Sequence, residues 1–186
     1  VTVRDIPNLI TFLRFLLVPP VVYFLSHQEF GSALLLFVLA GFSDALDGFL
    51  AKRFGWTSRL GEMMDPLADK LLLICSYVTL GWLGLLPVWL VGVVILRDVV
   101  IVTGATVYHL LIERLDAKPT MISKLNTLAQ IMLVLLVVLG EVGHTVPASW
   151  VWWLILAVMI TTLWSGLGYV WIWGRKALAR GRHARS

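Results

Sequence analysis

Four aspartates stand in two pairs, Asp44 with Asp47 and Asp65 with Asp69. Spacings of three and four residues keep each pair on one face of a helix. Gly48 and Ala51 continue the first face at i+4 and i+7 from Asp44, and Gly61 precedes Asp65 by four on the second. Two neighbouring antiparallel helices in this register can point four carboxylates at one spot. Carboxylates so close in a low dielectric repel one another and need cations to be tolerated. Hard oxygen donors suit Mg²⁺, Mn²⁺ or Ca²⁺, and Mg²⁺ usually works beside substrate phosphates. No His or Cys lies near these acids in sequence to suggest zinc. A lone Gly48 or Gly61 would read as close helix packing. In register with the acids, each instead makes room for a ligand beside the backbone.

The elements that must carry these acids are membrane helices. Of the 186 residues, 59% are apolar and only 14% charged, with a mean hydropathy of +0.89. That leaves too little polar surface to cover a soluble domain of this length. A spanning helix needs about 20 predominantly apolar residues. Candidates lie at Leu9–Leu25, Ser32–Leu50, Leu60–Leu80, Val88–Ile112, Ile122–Gly140 and Trp150–Trp173. The expected fold is all-α and polytopic, a single membrane domain over 1–186 with six transmembrane helices. The turns Ser26–Phe30, Gly81–Pro87 and Glu141–Ser149 contain no Lys or Arg. The opposite side carries Arg4, Lys52, Arg53, Arg59, Arg114, Lys118, Arg175, Lys176, Arg180, Arg182 and Arg185. This asymmetry predicts that both termini are cytoplasmic.

The basic tail, about 174–186, reads as a juxtamembrane segment on anionic lipid, not as a nucleic-acid binder. Trp150, Trp152, Trp153, Trp171 and Trp173 flank the last span as interfacial anchors. Cys75 sits inside an apolar run and cannot form an intrachain disulfide. The start VTVRDIPN shows no pattern of a cleaved targeting peptide. Asp44 and Asp47 fall at the cytoplasmic end of the second span, and Asp65, Asp69 and Lys70 at the start of the third. A cation transporter would place its acids nearer the midplane, often in broken helices. A non-catalytic scaffold would need no acids at all. Nucleotide-dependent activity separates an enzyme from both.

The run from Asp44 to Asp69 reads Asp-x2-Asp-Gly-x2-Ala-Lys-x8-Gly-x3-Asp-x3-Asp. It resembles the signature of the CDP-alcohol phosphotransferase family, with Lys52 where that signature has Arg. Lys52 keeps the charge but lacks the guanidinium fork for bidentate phosphate contact. Arg53 cannot substitute, since adjacent helical residues diverge by about 100°. The start Pro-Asn-x2-Thr-x2-Arg (Asn8, Thr11, Arg14) resembles the first helix of the phosphatidylglycerophosphate synthase and cardiolipin synthase branches. Asp65–Lys70, Arg97-Asp98 and the run from Lys118 through Ser123, Lys124, Asn126, Thr127 and Gln130 resemble CMP-forming cardiolipin synthases. Phosphatidylglycerophosphate synthases are expected to show Gly-Lys-x-Lys-Thr around 123–127, so Ser-Lys-Leu-Asn-Thr favours the cardiolipin branch.

The resemblance implies a homodimeric six-helix enzyme of the bacterial inner membrane, its site open to the cytoplasm. It implies transfer of a phosphatidyl group from CDP-diacylglycerol to phosphatidylglycerol, releasing CMP, or alternatively to glycerol 3-phosphate. Two Mg²⁺ or Mn²⁺ ions would be held by Asp44, Asp47 and Asp65, with Asp69 completing the set and accepting the acceptor's proton. Gly48, Ala51 and Gly61 would make room for the cytidine. Lys52 and Arg14, with Asn8 and Thr11 on the Arg14 face, would line the phosphate pocket. Arg97, Arg114, Lys118 and Lys124 are the cations available to an anionic acceptor. Arg97 has a second reading, structural pairing with an acid inside the spans; Asp98, being adjacent, is expected to point elsewhere. Tyr77, His109 and His144 receive no role, and the last span offers no usable motif.

Overall fold

The computed structural model describes the backbone of residues 6–54, 59–111, 121–143 and 145–183. It describes the side chains of 12–43, 46, 67–104, 121–143 and 145–169. Among the described residues all regular structure is helical. The helices are α1 (Ile6–Ser26), α2 (Phe30–Phe54), α3 (Arg59–Trp82), α4 (Val88–Leu111), α5 (Met121–Glu141) and α6 (Ala148–His183). Each contains or closely tracks one of the apolar runs predicted from sequence. Two of them, over Met121–Glu141 and Ala148–Tyr169, are long and apolar enough by themselves to cross a membrane. α6 continues past Tyr169 into the basic tail, and its 36 residues extend roughly 54 Å at 1.5 Å per residue. That exceeds a hydrocarbon core of about 30 Å.

The chain divides into two compact units, Val1–Leu86 with Val134–Val146 and Pro87–Leu133 with Pro147–Ser186. In the first, α1 packs against both α2 and α3. Val18, Val21 and Leu25 form its inward stripe, facing a core that includes Ala33, Phe37, Ala40, Leu72, Leu73, Tyr77 and Leu80. Ala33 and Ala40 are fully enclosed, the small-residue packing that lets membrane helices approach closely. Pro19 and Pro20 lie inside α1. Neither has an N–H, so the Phe15 and Leu16 carbonyls lose their usual helical donors. In the second unit α4 packs on α6 through Leu90, Val91, Val94, Ile155 and Val158.

The exposed surface is far more apolar than a soluble protein's, and the core holds several polar groups. Phe12, Leu16, Leu35, Phe42, Trp152, Trp153 and Trp164 are exposed, while Arg14, Arg97, Asp98, Asn126 and Gln130 are buried. Apolar side chains turned outward suit a lipid surround.

Two helices end with one device, and a third shares its left-handed residue. At the close of α1, Glu29 N–H donates to the Phe24 carbonyl (2.9 Å) and Gln28 N–H to that of Leu25 (3.0 Å). Gln28 takes φ 60°. At the close of α3, Leu85 donates to Leu80 (3.0 Å) and Gly84 to Gly81 (3.1 Å), with Gly84 at φ 76°. This paired pattern with a left-handed residue is the Schellman cap. Gly143, at φ 100° and donating to Gly140 (3.3 Å), closes α5 in the same left-handed region. The three caps fall in the turns that lack Lys and Arg.

Only backbone preference separates Gln28 from Gly84, because a Cβ at Gly84 would meet nothing within 4 Å. Gly84→Ala should therefore destabilise by about 1 kcal/mol, and Gln28→Gly should be neutral or stabilising. Thermal unfolding midpoints in detergent would check the opposite signs.

Candidate active site

α2 is continuous through Asp44, Asp47, Gly48, Ala51 and Lys52, and α3 through Gly61, Asp65 and Asp69. The helical register assumed from sequence thus holds along both backbones. The side chains of Asp44, Asp47, Gly48, Ala51, Lys52, Gly61 and Asp65 lie outside the described residues, as do those of Asn8 and Thr11 in α1. Arg114 and Lys118 lie outside them altogether.

What is described is the last acid of the run. Arg14 Nη1 donates to Asp69 Oδ1 at 2.7 Å, joining α1 to α3 across 55 residues of sequence. Arg14 is only 1% exposed, whereas the Asp69 side chain is 40% exposed. A buried guanidinium demands a hydrogen-bonded counter-charge, and a charge-assisted bond of this length is a strong one. The pair therefore orients the carboxylate. Asp69 still presents part of its surface outside the core. Sequence reasoning placed Arg14 on phosphate; the structure commits one of its Nη groups to Asp69.

The second unit holds a separate polar cluster. Arg97, 5% exposed, donates from Nη1 to Asp98 Oδ1 (2.6 Å) and from Nη2 to Ser123 Oγ (2.7 Å) and Ser165 Oγ (2.6 Å). This corrects the expectation that Asp98 would point elsewhere. Adjacent Cβ atoms diverge on a helix, but the long arginine stem folds back far enough to meet the neighbouring carboxylate. Asn126, fully buried, accepts at Oδ1 from Thr161 Oγ1 (2.8 Å) and Thr162 Oγ1 (2.8 Å). Lys124, between Ser123 and Asn126 in the chain, is exposed.

The family model for CDP-alcohol phosphatidyltransferase matches residues 4–164. The chain belongs to that family. It is 34% identical over 191 residues to the rat protein named Cardiolipin synthase (CMP-forming), covering 93% of this chain and 62% of the relative. The human protein of the same name is 37% identical over 147 residues, covering 69% and 48%. A CDP-diacylglycerol--glycerol-3-phosphate 3-phosphatidyltransferase of Blochmanniella floridana is 31% identical over 187 residues, covering 91% of this chain and 90% of that one. The chain thus spans about half to three-fifths of the two mammalian relatives.

Within the CDP-alcohol phosphatidyltransferase match lie the whole acid run, Arg14, Arg97, Asn126, Thr161 and Thr162; Ser165 is the first residue past it. Thr161, Thr162 and Ser165 were missed from sequence. Their signal was available: hydroxyls at i, i+1 and i+4 mark one polar edge on an otherwise apolar span.

Removing one member of a buried polar set leaves the other desolvated. Arg14→Gln should lower stability by only about 1 kcal/mol, since the Asp69 carboxylate left behind is 40% exposed. Asn126→Ala, which removes the acceptor of the buried Thr162 hydroxyl while Thr161 keeps the Ala157 carbonyl, should cost about 1 kcal/mol. Chemical or thermal unfolding in matched micelles would read both.

Proposed function

We propose that this chain transfers the phosphatidyl group of CDP-diacylglycerol to the hydroxyl of phosphatidylglycerol, forming cardiolipin and CMP. The likeness over 93% of its length to a relative named Cardiolipin synthase (CMP-forming) carries this reading. Glycerol 3-phosphate is the second acceptor, favoured by the glycerol-3-phosphate phosphatidyltransferase of which this chain covers 90%. Both acceptors are anionic alcohols, and both reactions release CMP.

The acceptor oxygen attacks the phosphorus that bears diacylglycerol. The bond from that phosphorus to the bridging oxygen breaks, the electron pair leaves with CMP, and the hydroxyl proton passes to Asp69. Arg14 supports this role by orienting the carboxylate. Asp44, Asp47, Asp65 and Asp69 form an all-carboxylate set that fits hard divalent cations. Two Mg²⁺ or Mn²⁺ ions bound there would neutralise pyrophosphate charge. Asn8, Thr11 and Lys52 line the phosphate side, and Gly48, Ala51 and Gly61 leave room for cytidine. Arg114, Lys118 and Lys124 attract the anionic acceptor, while Arg97 takes its structural reading, paired with Asp98, Ser123 and Ser165.

The same reading makes the protein a six-span homodimer of a bacterial inner membrane with cytoplasmic termini and a cytoplasm-facing site. The absence of Lys and Arg from three alternate turns supports that orientation.

The deciding experiment offers purified protein CDP-diacylglycerol with phosphatidylglycerol or glycerol 3-phosphate in separate reactions. CMP and cardiolipin should appear, and Asp69→Asn should slow the reaction by about a hundred-fold or more. Phosphatidylglycerophosphate in place of cardiolipin would move the acceptor assignment, and no CMP with either would overturn the reading. Chelation by EDTA should abolish turnover, and excess Mg²⁺ or Mn²⁺ should restore it; persistence of full activity in EDTA would refute the metal assignment.

A further inference from the structure

Arg97 lies near the middle of α4, yet two of its three hydrogen bonds leave that helix. Ser123 is the third residue of α5, and Ser165 stands midway along α6. The arginine stem runs against α6 at Gly166, where an added Cβ would stand 3.6 Å from Arg97 Cγ. One guanidinium therefore ties three helices together at the depth where α5 begins.

An apolar side chain could fill this space without desolvating a charge, so burial of arginine points to a need for directed contacts. Apolar packing is non-directional and leaves helix rotation and sliding loosely specified. The Arg97 bonds fix the first turn of α5 in both respects. One turn further on, Asn126 with Thr161 and Thr162 makes a second tie from α5 to α6. Lys124 sits between the two ties and is exposed. Arg97 itself is enclosed, with its terminal nitrogens engaged by Asp98, Ser123 and Ser165.

We infer that Arg97 is a positioning residue, whose clamp on Ser123 and Ser165 sets the first turn of α5 so that Lys124 meets the anionic acceptor. This rests on the acceptor reading of Lys124 given above. Ser165 is the cleanest handle, since it touches Arg97 from α6 and belongs neither to α5 nor to any proposed substrate contact.

The test is a double-mutant cycle in full-length protein, with phosphatidylglycerol and CDP-diacylglycerol varied separately in mixed micelles. Ser165→Ala should raise the apparent KM for phosphatidylglycerol about five-fold and leave that for CDP-diacylglycerol unchanged. Ser165→Thr, which keeps the hydroxyl, should restore it. In a Lys124→Gln background Ser165→Ala should add nothing, because the group being positioned is gone. Equal rises in both KM values, or full additivity with Lys124→Gln, would overturn the inference. An acceptor KM unmoved by Lys124→Gln would refute the acceptor role of Lys124 and the inference with it.

Hydrogen exchange supplies a readout independent of turnover. Ser165→Ala should speed exchange of the amides of 125–130 about five-fold while leaving α1 unchanged. Unchanged exchange there would refute the clamp even if the protein released no CMP at all, an outcome that would separately refute the proposed reaction.

Discussion

A polar group removed from water must find its partner within the protein, and the internal order of this chain follows from that constraint. Lipid offers no hydrogen bonds, so a guanidinium that is 1% exposed can persist only against a carboxylate such as Asp69. Arg97 meets the same demand differently, by spreading its donors over one acid and two hydroxyls. Asn126 uses one carbonyl oxygen for two threonine hydroxyls. These bonds are few, but each is directional. Apolar contacts assemble the helices within each unit, and the polar bonds specify rotation and depth.

Helix ends obey the same constraint. The last carbonyls of α1 and α3 have no intrahelical donors, and reversed N–H groups beyond Gln28 and Gly84 supply them. Such caps allow the chain to turn within a few residues. Side-chain hydroxyls follow a local version of the rule. Ser76 donates to the Leu72 carbonyl at 2.8 Å and Thr79 to that of Cys75 at 2.8 Å, so polar atoms in α3 are satisfied by its own backbone.

The proposed chemistry draws on the same physics. An aspartate can act as a base only if it is correctly aimed, and a buried arginine 2.7 Å away fixes that aim. Asp69 remains part-exposed, as a group that must receive a proton from a substrate needs to be. The proposed acceptor role places the opposite requirement on Lys124, which is exposed and would reach outward from a fixed turn.

Much of the fold was legible in the sequence because its signals are local. Apolar run length marked the helices, and the missing Lys and Arg marked the turns in which α1, α3 and α5 end. The register of Asp44, Asp47, Asp65 and Asp69 needed only the helical repeat, and the same residues carried the family resemblance. Tertiary structure alone decided that Arg14 meets Asp69 across 55 residues, that Arg97 folds back to Asp98, and that Ser165 in a motif-free span completes its clamp. Spacing along a helix specifies where a Cβ points, but a long flexible side chain chooses its partner by proximity in space. That proximity exists only once the helices have packed.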